Sequence, residues 1–446
     1  MRKTRFFPLF FLLIILVVSS FSFIIRKEDS RPAHKNPLGV EHFFRHPYIS
    51  RSHGRIDTDR ILVRFKPEIS GQMIRLASAA YQIKETEKIY GANVYSWKVP
   101  EGKTVDEMVF LLGRNPDVEY VEPDQKIYIH SFPDDPYFGY QYALFNFGQE
   151  IGEPGSPRGY AGADVKALQG WEETKGSPDI VVAVIDTGVD FTHPDLQENI
   201  LPGGVDFVNG DSDPSDDNGH GTYVCGIIAA DSDNHEGISG IAPNCRILPV
   251  KGLNADGEGY TSWAIEGIWW AANKGVDVIN LSVGAPSPSL FLEEALYYAS
   301  SKDIVIVSSA GNHNTEVTLP AAYPMVMAVA ATDYFDRRAH YSNHGPEIEV
   351  AAPGSRILVC FPTWKVDPAA PPYGFISGSS LSCAYVSGLA ALIKSNKPWL
   401  HAEEIKDVIR FSADDVNEAQ YPGWDKYIGY GRINLEKALK PIKIEK

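Results

Sequence analysis

The sequence predicts an α/β protein, a mostly parallel sheet with helices on both faces, preceded by a small α+β domain. Three observations carry this. Short β-branched runs at 180–185, 246–250, 276–281, 304–307 and 326–330 are apolar at nearly every position, as strands covered on both faces must be. Longer amphipathic stretches separate them, which is the alternation of a parallel sheet wrapped by helices. Upstream, strand-like and helix-like patterns follow one another within residues 60–121, the texture of a separate small unit. A chain of 446 residues exceeds one average domain, and 44% hydrophobic content supplies core for more than one.

From the N-terminus, Arg2, Lys3 and Arg5 precede an uncharged apolar run at 6–25. Residues 1–25 therefore read as a secretory signal, with Ser20 and Ser22 near a cleavage point, or as a retained anchor long enough for a bilayer. Both readings put the remainder outside the cytoplasm, because the positive charges stay on the inner face. The chain is thus expected to be secreted or extracytoplasmic, and to meet a membrane only through that anchor. Residues 26–58 lack periodicity and read as a linker. Residues 59–130 hold a strand at 61–65, a helix-like stretch, an alternating strand at 94–99, a helical stretch at 105–112 and a strand at 118–121. The larger unit occupies 131–446, and ligands of such sheets lie at the carboxyl ends of the strands.

The formal charge of −16 argues against nucleic acid, since a chain that tracks phosphates needs a basic face; acidic loops suit divalent cations. Four cysteines, Cys225, Cys245, Cys360 and Cys383, allow three full pairings. None forms a CxxC pair, which removes the usual spacing of structural zinc.

Four residues are candidates for chemistry. Asp186 follows the strand at 180–185 and precedes Thr187-Gly188, where an isolated Asp more often caps a turn. His220, in Gly219-His220-Gly221-Thr222, stands at the start of a helical run; alone it is a capping or surface residue. An imidazole oriented by a buried Asp becomes a base for a serine hydroxyl. Ser380 sits among Ser377-Gly378-Ser379-Ser380-Leu381-Ser382, ahead of the apolar helix at 385–393, and the spacing alone does not choose among these serines. Asn312, in Ser309-Ala310-Gly311-Asn312 after the strand at 304–307, offers a carboxamide donor for a developing oxyanion. The order Asp, His, Asn, Ser differs from that of chymotrypsin and of α/β-hydrolases, and Ser382 replaces the Gly that a nucleophile elbow needs.

At these residues the chain resembles the subtilase family, and most of all its thermitase-type bacterial members. Val184-Ile185-Asp186-Thr187-Gly188 with His193-Pro194-Asp195-Leu196, His220-Gly221-Thr222, Ser309-Ala310-Gly311-Asn312 and Gly378-Ser379-Ser380 are similar to its signature blocks. Gly240-Ile241-Ala242-Pro243, Val278-Ile279-Asn280-Leu281-Ser282-Val283-Gly284 and Gly429-Tyr430-Gly431 extend the likeness. The resemblance implies a serine endopeptidase with Ser380 as nucleophile, His220 as base, Asp186 as its orienter and Asn312 as oxyanion donor. It also implies that the backbone from Ser282 to Gly284 pairs with an extended peptide substrate. The alternative reading is a pseudoprotease or binding module that keeps the fold. A monomer is expected.

Two blocks depart from the family pattern: Tyr223-Val224-Cys225-Gly226 follows the His, and Ala384-Tyr385 stands where Pro-His is common. Cys225 and Cys383 fall in these blocks, so they are expected to face one another, as thiols or as a disulfide. Residues 60–126 are similar to the family's propeptide, which implies a folding aid that inhibits its own enzyme until cut between 126 and 131, ahead of Pro133. The resemblance further implies structural calcium, at Asp135, Asp195 and the loop of Asn234, and at a second site from Asp206, Asp211 and Asp213.

Overall fold

The computed structural model describes residues 59–89, 93–124, 132–152 and 155–441. The apolar segment at 6–25, the linker and the expected cut between 126 and 131 lie outside the described residues.

The smaller domain is built from β1 (Arg60–Phe65), α1 (Gly71–Ala80), β2 (Thr86–Lys88), β3 (Val94–Lys98), α2 (Val105–Leu112) and β4 (Val118–Pro123). Its strands form an antiparallel sheet in the order β2-β3-β1-β4. Ile61, Val63 and Phe65 alternate inward from β1 to meet Trp97, Met108 and Leu112, so one face of the sheet closes a core with the helices. A capping box between Thr104 and Glu107 starts α2, an arrangement worth about 1 kcal/mol. The short β2 has no inward residue, which is why no apolar pattern announced it.

The larger domain runs α3 (Ala167–Gly170), β5 (Val181–Asp186), β6 (Val205–Asp206), α4 (His220–Ala229), β7 (Arg246–Lys251), α5 (Thr261–Lys274), β8 (Val278–Leu281), α6 (Leu290–Ser301), β9 (Val305–Ser309), β10 (Met327–Thr332), β11 (Ile348–Pro353), β12 (Ile357–Cys360), β13 (Tyr373–Ile376), α7 (Ser379–Asn396), α8 (Ala402–Ser412) and α9 (Leu435–Leu439). Seven strands pair in the order β11-β10-β9-β8-β5-β7-β6, every pairing parallel, while β12 and β13 form a separate hairpin.

The continuous apolarity of these strands has a two-sided cause. Val182 and Val184 of β5 pack with α4 and α7, whereas Ala183 and Ile185 face the side covered by α5 and α6. Ile247 against Leu248 and Val250 divides β7 in the same way. Each buried aliphatic side chain of this kind stabilises by about 1.5–3 kcal/mol. α7 goes further: residues 379–393 are all buried, so it runs through the interior. α5 ends at Gly275, whose φ of 74° and open surroundings suit a left-handed cap. β11 lacked a sequence signal because Glu349, Ala351, Ala352 and Pro353 are weak strand formers, and as the edge strand it tolerates the proline.

Candidate active site

β5, β8 and β9 are parallel, so their carboxyl ends open on one side; Asp186 and Asn312 stand at or just past the ends of β5 and β9, and the heads of α4 and α7 bring His220 and Ser380 to them. Asp186 closes β5 and is fully buried. The chain then turns at Gly188, with φ 104°, and Gly221 of α4 packs on it so closely that an added Cβ at 221 would lie 2.0 Å from the Gly188 carbonyl oxygen. These two glycines let the head of α4 reach the end of β5.

The result is a 2.7 Å hydrogen bond between His220 Nδ1 and Asp186 Oδ1. A carboxylate only accepts, so Nδ1 carries the proton and Nε2 is left with its lone pair. The imidazole is 30% exposed and the carboxylate 0%, an asymmetry that strengthens their attraction while leaving the ring open to the cleft. Burial is the largest influence on the ring and disfavours its charge. The Asp186 carboxylate, by charge and hydrogen bond, with help from Asp216, outweighs it and raises the imidazole above its ordinary value.

Ser380 lies in the first turn of α7 and is 8% exposed. Its Oγ rests 3.5 Å from the Ser282 carbonyl oxygen, and among the described residues it makes no hydrogen bond to His220. A serine hydroxyl is a rotor about one bond, and such contacts tighten when substrate fills the cleft. Asn312 reaches the same helix head: its Oδ1 accepts from Ser379 N at 2.8 Å, while Gly311 N donates to Ser379 Oγ at 3.2 Å. With the oxygen engaged, the amide nitrogen is directed toward Gly378, where a Cβ would stand 3.7 Å from it.

Beside His220 runs a cleft of about 810 Å³, lined by Gly252, Leu253 and residues 256–260 and by Ser282, Val283 and Gly284. The backbone of Val283 and Gly284 forms no hydrogen bond among the described residues, which leaves a strand edge able to pair with an extended chain.

Sequence reasoning passed over the residues that hold the His loop. Asp216 accepts from Thr187 Oγ1, Asn218 N and Gly219 N through one oxygen, and from Thr222 N and Oγ1 through the other. The buried Lys251 ammonium donates to Thr187 O at 2.8 Å and to Asp217 at 2.5 Å. A buried carboxylate and a buried ammonium need partners, and here those partners fix the turns on either side of His220. The signal available was Asp216 four residues before His220, unremarkable among its acidic neighbours.

The first calcium set is brought together. Asp195 is fully buried, accepts from Asn234 Nδ2 at 2.9 Å and Ile238 N at 2.8 Å, and is pushed up to about 6 by burial, with the Asp135 charge adding to the rise. Asp135, also raised chiefly by burial, keeps one buried oxygen with no hydrogen-bond partner. An orphaned carboxylate oxygen beside a second desolvated carboxylate suits a hard cation. The residues of the second set bond within their own loop. Asp206 caps Val208 and Asn209, Asp211 caps Asp213, and Asp213 caps Ser215, so these carboxylates close their own turns. Among the described residues no three His, Cys, Asp or Glu side chains converge on one point.

All four cysteines are buried free thiols. Cys383 does not bridge to Cys225; its Sγ donates to Asn280 Oδ1 at 3.2 Å. Burial pushes its thiol up to about 12, the setting of an inert side chain.

A family profile described as "Subtilase family" matches residues 177–431, and one described as "Fervidolysin N-terminal prodomain" matches residues 50–124. The chain is 36% identical over 394 residues to a thermophilic serine proteinase of Bacillus sp. (strain AK1), across 88% of this chain and 90% of that one. It is 37% identical over 309 residues to thermitase of Thermoactinomyces vulgaris, across 69% of this chain and 99% of that one. Among solved structures, a protease of Pseudoalteromonas arctica aligns with a TM-score of 0.60 at 30% identity, covering 69% of this chain and 99% of that one.

Proposed function

This chain belongs to the subtilase family, a subtilisin-like serine protease with an N-terminal prodomain, and on that premise we propose that it is a secreted or membrane-tethered endopeptidase made as a self-processing zymogen. The observation that carries the catalytic assignment is the 2.7 Å bond joining a buried strand-end carboxylate to a half-open imidazole. Asp186 holds Nδ1–H, so Nε2 faces the cleft as a base. Ser380 Oγ turns from the Ser282 carbonyl, gives its proton to Nε2 and attacks the peptide carbonyl carbon. The carbonyl oxygen takes up the electron pair, and the Asn312 amide is placed to donate to it, a contribution of about 3–4 kcal/mol. As the C–N bond breaks, His220 returns the proton to the leaving amine. Water, deprotonated by the same ring, then releases the acyl group.

The unpaired backbone of Val283 and Gly284 supports binding of the substrate as an added strand. Asp135, Asp195 and Asn234 would hold calcium, which supplies positive charge between two buried carboxylates. The prodomain acts as the enzyme's own inhibitor until it is cut.

Titration with a serine-directed fluorophosphonate tests the enzyme assignment. Stoichiometric labelling that disappears in Ser380→Ala is expected; a folded protein that takes up no label is a pseudoprotease. Ser380→Ala expressed alone should stay uncut, and a processed form would refute self-cleavage.

A further inference from the structure

We propose that Asn280 is a positioning residue for the nucleophile, acting through a one-way chain of buried hydrogen bonds that ends on the Ser380 backbone. Asn280 lies in β8 between apolar neighbours and has no exposed surface. A carboxamide is costly in such a place unless every polar atom is bonded, and here both ends are. Its Oδ1 accepts from Ser387 Oγ at 2.9 Å and from Cys383 Sγ at 3.2 Å, two donors one turn apart on α7. Its Nδ2 donates to Ser282 Oγ at 3.0 Å, and Ser282 Oγ donates in turn to the Ser380 carbonyl oxygen at 3.3 Å.

The direction of each bond follows from the one before it. Two donors on Oδ1 fix the amide's orientation, so its nitrogen points at Ser282. Ser282 Oγ receives that hydrogen and has a single proton of its own, which is left for Ser380 O. The same two serines touch a second time, through the 3.5 Å approach of Ser380 Oγ to Ser282 O. The β8 amide thereby ties the interior helix to the substrate-pairing segment and both to the residue that attacks. A displacement of about 1 Å at a reacting group can cost on the order of a hundredfold in rate, so a chain that sets this register acts on kcat without touching substrate.

The proposal rests on the catalytic reading of Ser380, and the experiment separates the two. Ser282→Ala, Ser282→Thr, Asn280→Ala and the Ser282→Ala/Asn280→Ala double variant are assayed on a peptide substrate, with kcat expressed per fluorophosphonate-titrated site and the thermal midpoint measured alongside. Ser282→Ala and Asn280→Ala are each expected to lower kcat about tenfold or more with KM within about twofold. The double variant should be no slower than the slower single one, because both cut the same chain. Ser282→Thr, which keeps the hydroxyl, should stay within about threefold of the parent. Unchanged kcat per site in Ser282→Ala, losses that multiply in the double variant, or a Thr variant as slow as Ala would overturn the proposal. Should Asn280→Ala not fold, Ser282→Ala against Ser282→Thr decides it. Failure of the parent to take up label sinks the catalytic reading instead.

Discussion

Replacing Asp186 by Asn is the most direct probe of the site, because it keeps the side chain's shape and removes only its charge. The carboxylate is fully buried and bonds Nδ1 at 2.7 Å. Two unit charges about 4 Å apart interact by about 4 kcal/mol at an effective dielectric of 20, and each 1.36 kcal/mol is a tenfold change in rate. Loss of that attraction for the imidazolium formed in the transition state predicts a fall in kcat of about a thousandfold. The Asn amide can also present N–H to Nδ1, which selects the wrong tautomer and carries the loss toward about ten-thousandfold. A second signature follows from sign. The Asp186 charge raises the His220 titration, so its removal lowers it, and activity lost as the ring protonates will be lost at lower pH than in the parent. The assay is kcat and kcat/KM against pH on a peptide substrate, corrected by active-site titration. A variant within tenfold of the parent, with its acid limb unmoved, would refute the reasoning.

Asn312→Ala should lower kcat by about 10²–10³ with KM nearly unchanged, because its donor meets charge that exists only in the transition state; a loss confined to KM would assign it to substrate binding. Asp216→Ala strips the partner from five donors around the His loop and should destabilise by about 3–5 kcal/mol, read as a drop of about 10 °C in the thermal midpoint. A folded variant with an unchanged midpoint would contradict that estimate. Calcium removal should be pH-dependent. Asp195 has its folded value raised to about 6, so in metal-free protein its contribution is present at low pH and lost as pH rises through that value. A chelator is therefore expected to lower the midpoint by about 5–10 °C at pH 8 and by much less at pH 5, and equal effects at both would count against the Asp135–Asp195 site.

The strands of the sheet were legible because burial on both faces demands apolar residues at every position, and Val182 through Ile185 meet that demand. Where the buried residues are small the signal fades: Ala351 and Ala352 are fully buried in β11, yet alanine, glutamate and proline are weak strand formers. The positions of Asp186 at a strand end and His220 at a helix head could be read from their small neighbours, since close approach needs glycine. Lys251 and Asn280 could not, because a buried polar residue is recognised by its partners, and Thr187, Asp217, Cys383 and Ser387 lie tens of residues away in the chain; Asp216 bonds mostly to donors two to six residues on, yet nothing set it apart from the acidic residues around it. In the acidic run at 206–213, Asp206, Asp211 and Asp213 each cap the turn beside them, pairings two or three residues long that lie within reach of a reading along the chain.

The burial of α7 along fifteen consecutive positions, 379–393, bears on how such a protein ages in solution. Ser380, the proposed nucleophile, heads the helix that everything else encloses, so loosening of the interior there is expected to disable the cleft as well. Copies that lose their interior stop cutting at the same moment that their own peptide bonds become accessible to intact neighbours. Intact copies are then expected to clear the damaged ones. Specific activity per surviving chain should hold steady through storage while total protein declines.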